Sequence, residues 1–274
     1  METILIATDF SPASINAADY ALELAKYFDS KLILLNAYPF PSANYDTGLP
    51  TEIVSALHKT SEDGLKEIKE RLIKNGGEGL NMECLSVMGG TMDVIEEECK
   101  QKKVNLVVMG IVGEAGKIKE HIIGSTSLRA ARHLQVPLFV IPNGIKYKRI
   151  HKLSFACDMD HTEEASTVYS AKYFAKMFDA ELEVISIENP EKERSIEKAA
   201  SIEFVEDTLE FVKHKTFLLA DKDAAAGLSD HYSNYPSDVI ILNPKKHNVF
   251  QTLFGTSVTK KLIFHSKTPL LVIH

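Results

Sequence analysis

Short runs of apolar residues alternate along this chain with longer stretches in which apolar positions recur at helical spacing. In the first half the runs are Thr3 to Thr8, Lys31 to Ala37, Asn81 to Val87, Leu106 to Gly110 and Pro137 to Ile141. Most are apolar throughout instead of alternating, as parallel strands covered on both faces must be. After the first run, Ser11 reads as a helix cap and Pro12 as the first helical residue, with Ile15, Ala18, Leu22 and Ala25 along one face. The pattern is β-α repeated. Right-handed crossovers then predict a five-stranded doubly wound sheet with its ligand crevice at the carboxyl ends of the strands, where the strand order reverses.

The pattern occurs twice. Ile6-Ala7-Thr8-Asp9-Phe10 matches Phe155-Ala156-Cys157-Asp158-Met159 at an offset of 149, and Ala25-Lys26-Tyr27-Phe28-Asp29 matches Ala175-Lys176-Met177-Phe178-Asp179. Near the ends, Gly124-Ser125-Thr126 matches Gly255-Thr256-Ser257, and Pro137 to Ile141 matches Pro269 to Ile273, at offsets of 131 and 132. The second copy has therefore lost residues from its middle. The expected domains are 1–143 and 148–274, joined through Pro142-Asn143-Gly144-Ile145-Lys146. A length of 274 residues suits two domains of this class.

Composition narrows the function classes. Hydrophobic residues make up 45% and charged residues 25%, an ordinary globular balance. The net charge of −7, with no isolated basic run, argues against nucleic acid or an anionic membrane as partner. No apolar stretch has the length of a membrane span, and the chain opens directly into a strand with no signal-peptide pattern, so a cytoplasmic protein is expected. Cys84, Cys99 and Cys157 match neither zinc nor CxxC spacing and fit a reducing compartment.

The candidate chemistry lies after the fourth strand. Val108-Met109-Gly110 leads through Ile111-Val112-Gly113 and ten further residues to Gly124-Ser125-Thr126-Ser127 at a helix start. Glycines after a strand let backbone approach a ligand, and a helix start with hydroxyls offers N–H and Oγ donors at a favourable dipole end, which suits phosphate. The alternative for Gly124-Ser125-Thr126 is a plain helix start. Gly113-Glu114-Ala115-Gly116-Lys117 is not a Walker loop: Ile111 stands five before Gly116, and Ile118 replaces the required hydroxyl.

These residues resemble the universal stress protein family, whose nucleotide-binding members carry G-x2-G-x9-G-[ST] in this place. Ala7-Thr8-Asp9-Phe10-Ser11, Val87-Met88-Gly89-Gly90 and Val136 to Pro142 support the resemblance, which spans nearly the whole chain as a tandem pair. One departure is a spacing of ten where the family has nine. The resemblance implies two Rossmann-like domains of the adenine nucleotide alpha hydrolase type. It also implies that Asp9 meets adenine or ribose, that the backbone at Ala7 and Ala37 flanks the base, and that Gly110, Gly113, Gly124, Ser125 and Thr126 hold phosphates. From its position alone, Asp9 is either a ligand at a strand's carboxyl end or a turn residue beside Ser11 and Pro12. The implied ligand is ATP, ADP or AMP, with or without magnesium, and the implied role is stress response or signalling.

In the second copy the loop reads Leu242-Asn243-Pro244-Lys245-Lys246, eight residues, then Gly255-Thr256-Ser257. Both loop glycines are gone, so this copy is expected not to bind nucleotide, although Asp158 and Gly255-Thr256 remain. His121, Lys117 and Lys119 lie in the first loop without motif-fixed positions, and Glu191 to Lys198 alternates in charge like a solvated helix start. The scattered histidines form no metal motif, and neither a hydrolytic triad nor a magnesium-ligand pair can be placed. A nucleotide-responsive binding protein is therefore the leading reading, with an interaction scaffold and a weak ATPase as rivals. The resemblance further implies edge pairing through the last strands. Leu138 to Ile141 and Leu270 to Ile273 are the candidates for pairing within one chain, and a homodimer is a further option.

Overall fold

Ser11 does cap the first helix: its backbone is extended and its Oγ accepts from the Ser14 amide at 3.3 Å, with Pro12 next. The computed structural model describes residues 1–41, 51–111, 125–157, 159, 167–188, 196–221, 224–243 and 268–273. They fall into two compact units, Met1–Tyr147 and Lys148–His274.

The first unit runs β1 (Thr3–Ala7), α1 (Pro12–Phe28), β2 (Lys31–Tyr38), α2 (Thr51–Leu72), β3 (Met82–Met88), α3 (Thr91–Gln101), β4 (Leu106–Ile111), α4 (Ser125–His133) and β5 (Leu138–Pro142). Its strands are all parallel, in the order β3-β2-β1-β4-β5. The second unit runs β6 (Lys152–Ala156), α5 (Val168–Phe178), β7 (Glu181–Glu188), α6 (Ile196–Leu209), β8 (His214–Ala220), α7 (Ala224–Asn234), β9 (Val239–Leu242) and β10 (Leu270–Val272). It repeats the winding as β8-β7-β6-β9-β10, again all parallel. Both are the doubly wound α/β sheets that the apolar runs predict. The central strands of the first unit are buried completely at Ile4, Leu5, Ile6, Ile33 and Val107. Strand ends shift by a residue: β1 stops at Ala7, and β3 spans Met82–Met88 instead of Asn81 to Val87.

The repeated sequence matches have local causes. Asp29 and Asp179 both close a helix in the left-handed conformation, at φ 51° and 52°, which Asp tolerates better than most residues. Asn105 and Asp238 play one part twice. The Asn105 Oδ1 accepts from the Glu2 and Thr3 amides, and the Asp238 Oδ2 accepts from the His151 and Lys152 amides, at 2.8–2.9 Å in every case.

One expectation fails in part: of Glu191 to Lys198, residues 191–195 lie outside the described residues and Ile196 and Glu197 are exposed, but Lys198 is buried. Lys198 is not on a solvated face: only 5% exposed, it turns inward with its Nζ 3.6 Å from Glu188 at the end of β7. Charge alternation along the chain gives no sign of a carboxylate on a neighbouring strand that draws a lysine inside.

Candidate functional site

In the first unit the chain leaves β1 toward β2 and β3, then returns across β1 to β4. The switch point is therefore the gap between the carboxyl ends of β1 and β4, where doubly wound sheets hold ligands. The residues leaving β1 are tightly tied down. The Thr8 amide donates to the Leu35 carbonyl, and the Thr8 carbonyl accepts from Asn36 Nδ2 at 2.7 Å. Thr8 Oγ1 lies 2.9 Å from Ser14 Oγ and accepts from the Phe10 amide at 3.0 Å. That last bond helps to hold Phe10 at φ 63°, a backbone conformation bulky residues rarely adopt. Its ring lies against Gly64 of α2, where an added Cβ would come within 2.7 Å of the ring edge.

Asp9 stands exposed at the top of this loop. Its Oδ1 accepts from the Ser11 amide at 3.0 Å, so the turn-capping reading is realised. A carboxylate has about four acceptor sites, and its exposure leaves Asp9 within reach of a ligand. Partial burial pushes the Asp9 carboxyl up, but hydrogen bonds from Ser11 and Ser14 together outweigh it and hold the group below its ordinary value. Asp9 is thus an acceptor at neutral pH.

Across the switch point, Gly110 has a physical reason to be glycine. A Cβ there would lie 2.2 Å from the Ala13 carbonyl oxygen and 2.8 Å from the Ser14 nitrogen, inside the first turn of α1. The helix backbone packs directly on the strand backbone, which seats the α1 N-terminus beside β4. Ser127, 7% exposed, directs its Oγ toward the Gly110 carbonyl at 3.5 Å and ties the start of α4 to the same point. Asn16 of α1 donates to the Pro142 and Ile145 carbonyls at 3.3 and 3.1 Å, fastening the helix to the end of β5.

Of the expected site residues, the structure gathers Ala7, Asp9, Ala37 and Gly110 at these carboxyl ends, with Thr126 in the first turn of α4. Ser125 opens α4, and its side chain lies outside the described residues. Gly113 and Gly124 lie outside them too, as do His121, Lys117 and Lys119, and in the second unit Asp158, Pro244, Lys246 and Gly255-Thr256-Ser257. The sequence reading names Thr8, Phe10 and Ser127 only within motifs, with no individual role, and passes over Gly64 and Asn36. A single asparagine in an otherwise apolar strand and a lone glycine in a helical pattern are the signals that mark two of them.

Beside the crevice, Tyr38 Oη and Ser86 Oγ each lie 3.2 Å from His58 Nδ1, Ser86 donates to Ser61 Oγ at 2.7 Å, and His58 Nε2 faces Glu62 at 3.4 Å. This network pins α2 onto the ends of β2 and β3. Among the described residues no three His, Cys, Asp or Glu side chains group as metal ligands, and no helix is long and apolar enough to cross a membrane.

Comparison with known proteins agrees with the fold. Universal stress protein MJ0531 of Methanocaldococcus jannaschii is 30% identical over 146 residues, which cover 50% of this chain and 80% of that protein. Universal stress protein YxiE of Bacillus subtilis is 26% identical over 144 residues, covering 97% of its length. The crystal structure of a universal stress protein from Archaeoglobus fulgidus superposes with a TM-score of 0.76 at 17% identity, over 99% of this chain and 97% of that one. The profile of the universal stress protein family matches residues 1–142, just over half of the chain. The chain belongs to the universal stress protein family.

Proposed function

We propose that the first unit binds an adenine nucleotide at the carboxyl ends of β1 and β4 and that occupancy of this site serves as a cytoplasmic stress signal. Asp9 accepts from the adenine amino group or a ribose hydroxyl, and the backbone at Ala7 and Ala37 borders the base. Gly110, Gly113, Gly124, Ser125 and Thr126 face the phosphates. The observation that carries the proposal is the loop from Thr8 to Ser11. Its polar groups are spent on fixing its shape, while its carboxylate is left exposed at the switch point.

The second unit serves as structural partner and does not take nucleotide. Asn243 and Pro244 stand where the first unit has its loop glycine and the free N–H groups after it.

Thermal denaturation of the full chain with millimolar ATP, ADP or AMP, with and without magnesium, tests the proposal. A ligand that binds only the folded state raises the midpoint. Gly124→Asp, which sets a carboxylate against the phosphates, and Asp9→Ala should each remove the rise. No rise in wild type defeats the proposal in favour of a nucleotide-independent scaffold, and a rise that survives both substitutions defeats the residue assignment. Phosphate release above the background of a Gly113 variant identifies an ATPase.

A further inference from the structure

The two units bury the same layer with different chemistry. In the first, Leu5 and Ile33 stand opposite each other on β1 and β2, and both are completely buried. The equivalent pair on β6 and β7 is Ser154 and Glu183, at 0% and 2% exposure. Val104, which precedes β4, becomes Ser237 before β9, as shown by the matching bonds from Asn105 N to Thr3 O and from Asp238 N to Lys152 O. β8 follows β3 at the offset that relates His214 to Met82, since each pairs with the matching residue of its neighbour strand. Carried forward, that offset places the buried His231 of α7 where α3 has the buried Cys99. A layer that is apolar in one unit is polar and ionisable in the other.

The polar layer is only partly satisfied. Lys152 Nζ reaches Glu183 at 2.8 Å, Ser154 donates to Glu183 at 3.4 Å, and the Ser154 and Ser237 hydroxyls meet. His231 is 4% exposed, wedged between Phe217 at 4.9 Å and Tyr235 at 5.1 Å between ring centroids. Its Nε2 and the Tyr232 hydroxyl are buried with no hydrogen-bond partner among the described residues. An unpaired buried polar atom costs stability, and a buried charge without a dedicated acceptor costs more.

We propose that α7 is an acid-sensitive latch, docked on the sheet of the second unit while His231 is neutral and loosened when His231 takes up a proton. The charged groups that act on His231 are Glu183 from β7, Lys152 from β6 and Asp230 from α7 itself, and its ring neighbours are Phe217 from β8 and Tyr232 and Tyr235 from α7. Burial lowers the His231 value below the ordinary 6.5 and outweighs the opposing pull of Glu183 and Asp230, with Lys152 acting in the same direction as burial. Released from the sheet, the imidazole binds a proton more readily than when docked. Docking is therefore fully favoured above the free value and weakens as pH falls below it.

Hydrogen–deuterium exchange on the full chain, with labelling times scaled to the intrinsic rate, reads this directly in peptides covering α7. Between about pH 7.5 and about pH 5.5 the wild type should lose protection by up to about tenfold, the limit for one histidine free to titrate only in the open state. The peptide covering α3, which contains no histidine, is the internal control. His231→Phe keeps the aromatic packing and should hold protection within about twofold over the same range. No loss in wild type, or an equal loss in His231→Phe, overturns the proposal. Should that variant fail to fold, the imidazole shifts of wild-type His231 decide by NMR: a midpoint below the ordinary value supports the latch, and one at or above it overturns it.

Discussion

Gly110→Ala tests the central packing claim. The added Cβ would sit 2.2 Å from the Ala13 carbonyl oxygen and 2.4 Å from its carbon, where ordinary contact begins at 3.4 Å. The obstacle is helix backbone, so no rotamer change relieves it, and α1 must retreat by more than about 1 Å from a close-packed interior. That helix buries Ala17, Ala18, Tyr20, Ala21 and Leu24, all of which move with it. Overpacking of this kind costs about 1–3 kcal/mol, and a backbone obstacle puts Gly110→Ala at about 3 kcal/mol. For a unit of this size each kcal/mol lowers the midpoint by about 2–4 °C, so a fall of roughly 6–12 °C is expected in the unfolding transition of the first unit. Gly64→Ala is the control. There the nearest atoms belong to the outer ring of Phe10, which can turn aside, and the cost should stay below about 1 kcal/mol. Calorimetry and urea unfolding of the full chain read both variants. A midpoint for Gly110→Ala within about 2 °C of wild type, or a larger loss in Gly64→Ala, would refute the reasoning.

Asn36→Leu keeps the number and branching of side-chain heavy atoms but strips the Thr8 carbonyl of its side-chain donor, and urea unfolding should show a loss of about 1–3 kcal/mol. Arg71→Ala removes a two-pronged pair with Asp19 that lies in solvent, and should cost at most about 1 kcal/mol, shrinking further in high salt. Because the folded Asp9 carboxyl is held below its ordinary value of 3.8, its contribution is full above that value and is lost as pH falls through the folded one. Acid titration of Asp9→Asn should show a shallower loss of stability below about pH 4 than wild type, and equal slopes would exclude the hydrogen bonds described for Asp9.

What the sequence revealed and what it hid follow from the kind of signal each residue leaves. Strands buried on both faces appear as unbroken apolar runs, and a Ser-Pro pair before a helical pattern has one sensible reading, so the winding of both units was legible. Gly110 was legible as a constraint but not as to its cause. Ligand approach and helix packing both demand a missing Cβ, and only the position of Ala13 tells them apart. Lys198 and His231 left no signal, because their burial depends on partners that arrive from other strands: Glu188 for one, and Phe217 with Glu183 for the other. Asn36 did leave one, a lone amide in an apolar strand, whose target became identifiable once β1 and β2 were paired.

The duplication supplies a natural counterpart to the Gly110 experiment. The bonds that align Asn105 with Asp238 carry Gly110 onto Asn243, so the second unit already bears a side chain where the first tolerates none. The close approach between Ala13 and Gly110 depends on a missing Cβ, which Asn243 does not offer. The neighbouring positions change in the same sense. Asn36 is replaced by Ser186, whose buried hydroxyl has no partner among the described residues, Ala37 by the bulkier Ile187, and Tyr38 by Glu188, which draws in Lys198. These exchanges fall at the residues that in the first unit seat the helix on the strand, tether the β1 loop and leave a small side chain near the end of β2. Loss of the loop glycines is thus one of several linked departures, and restoring glycine at Asn243 alone should not confer nucleotide binding on the second unit.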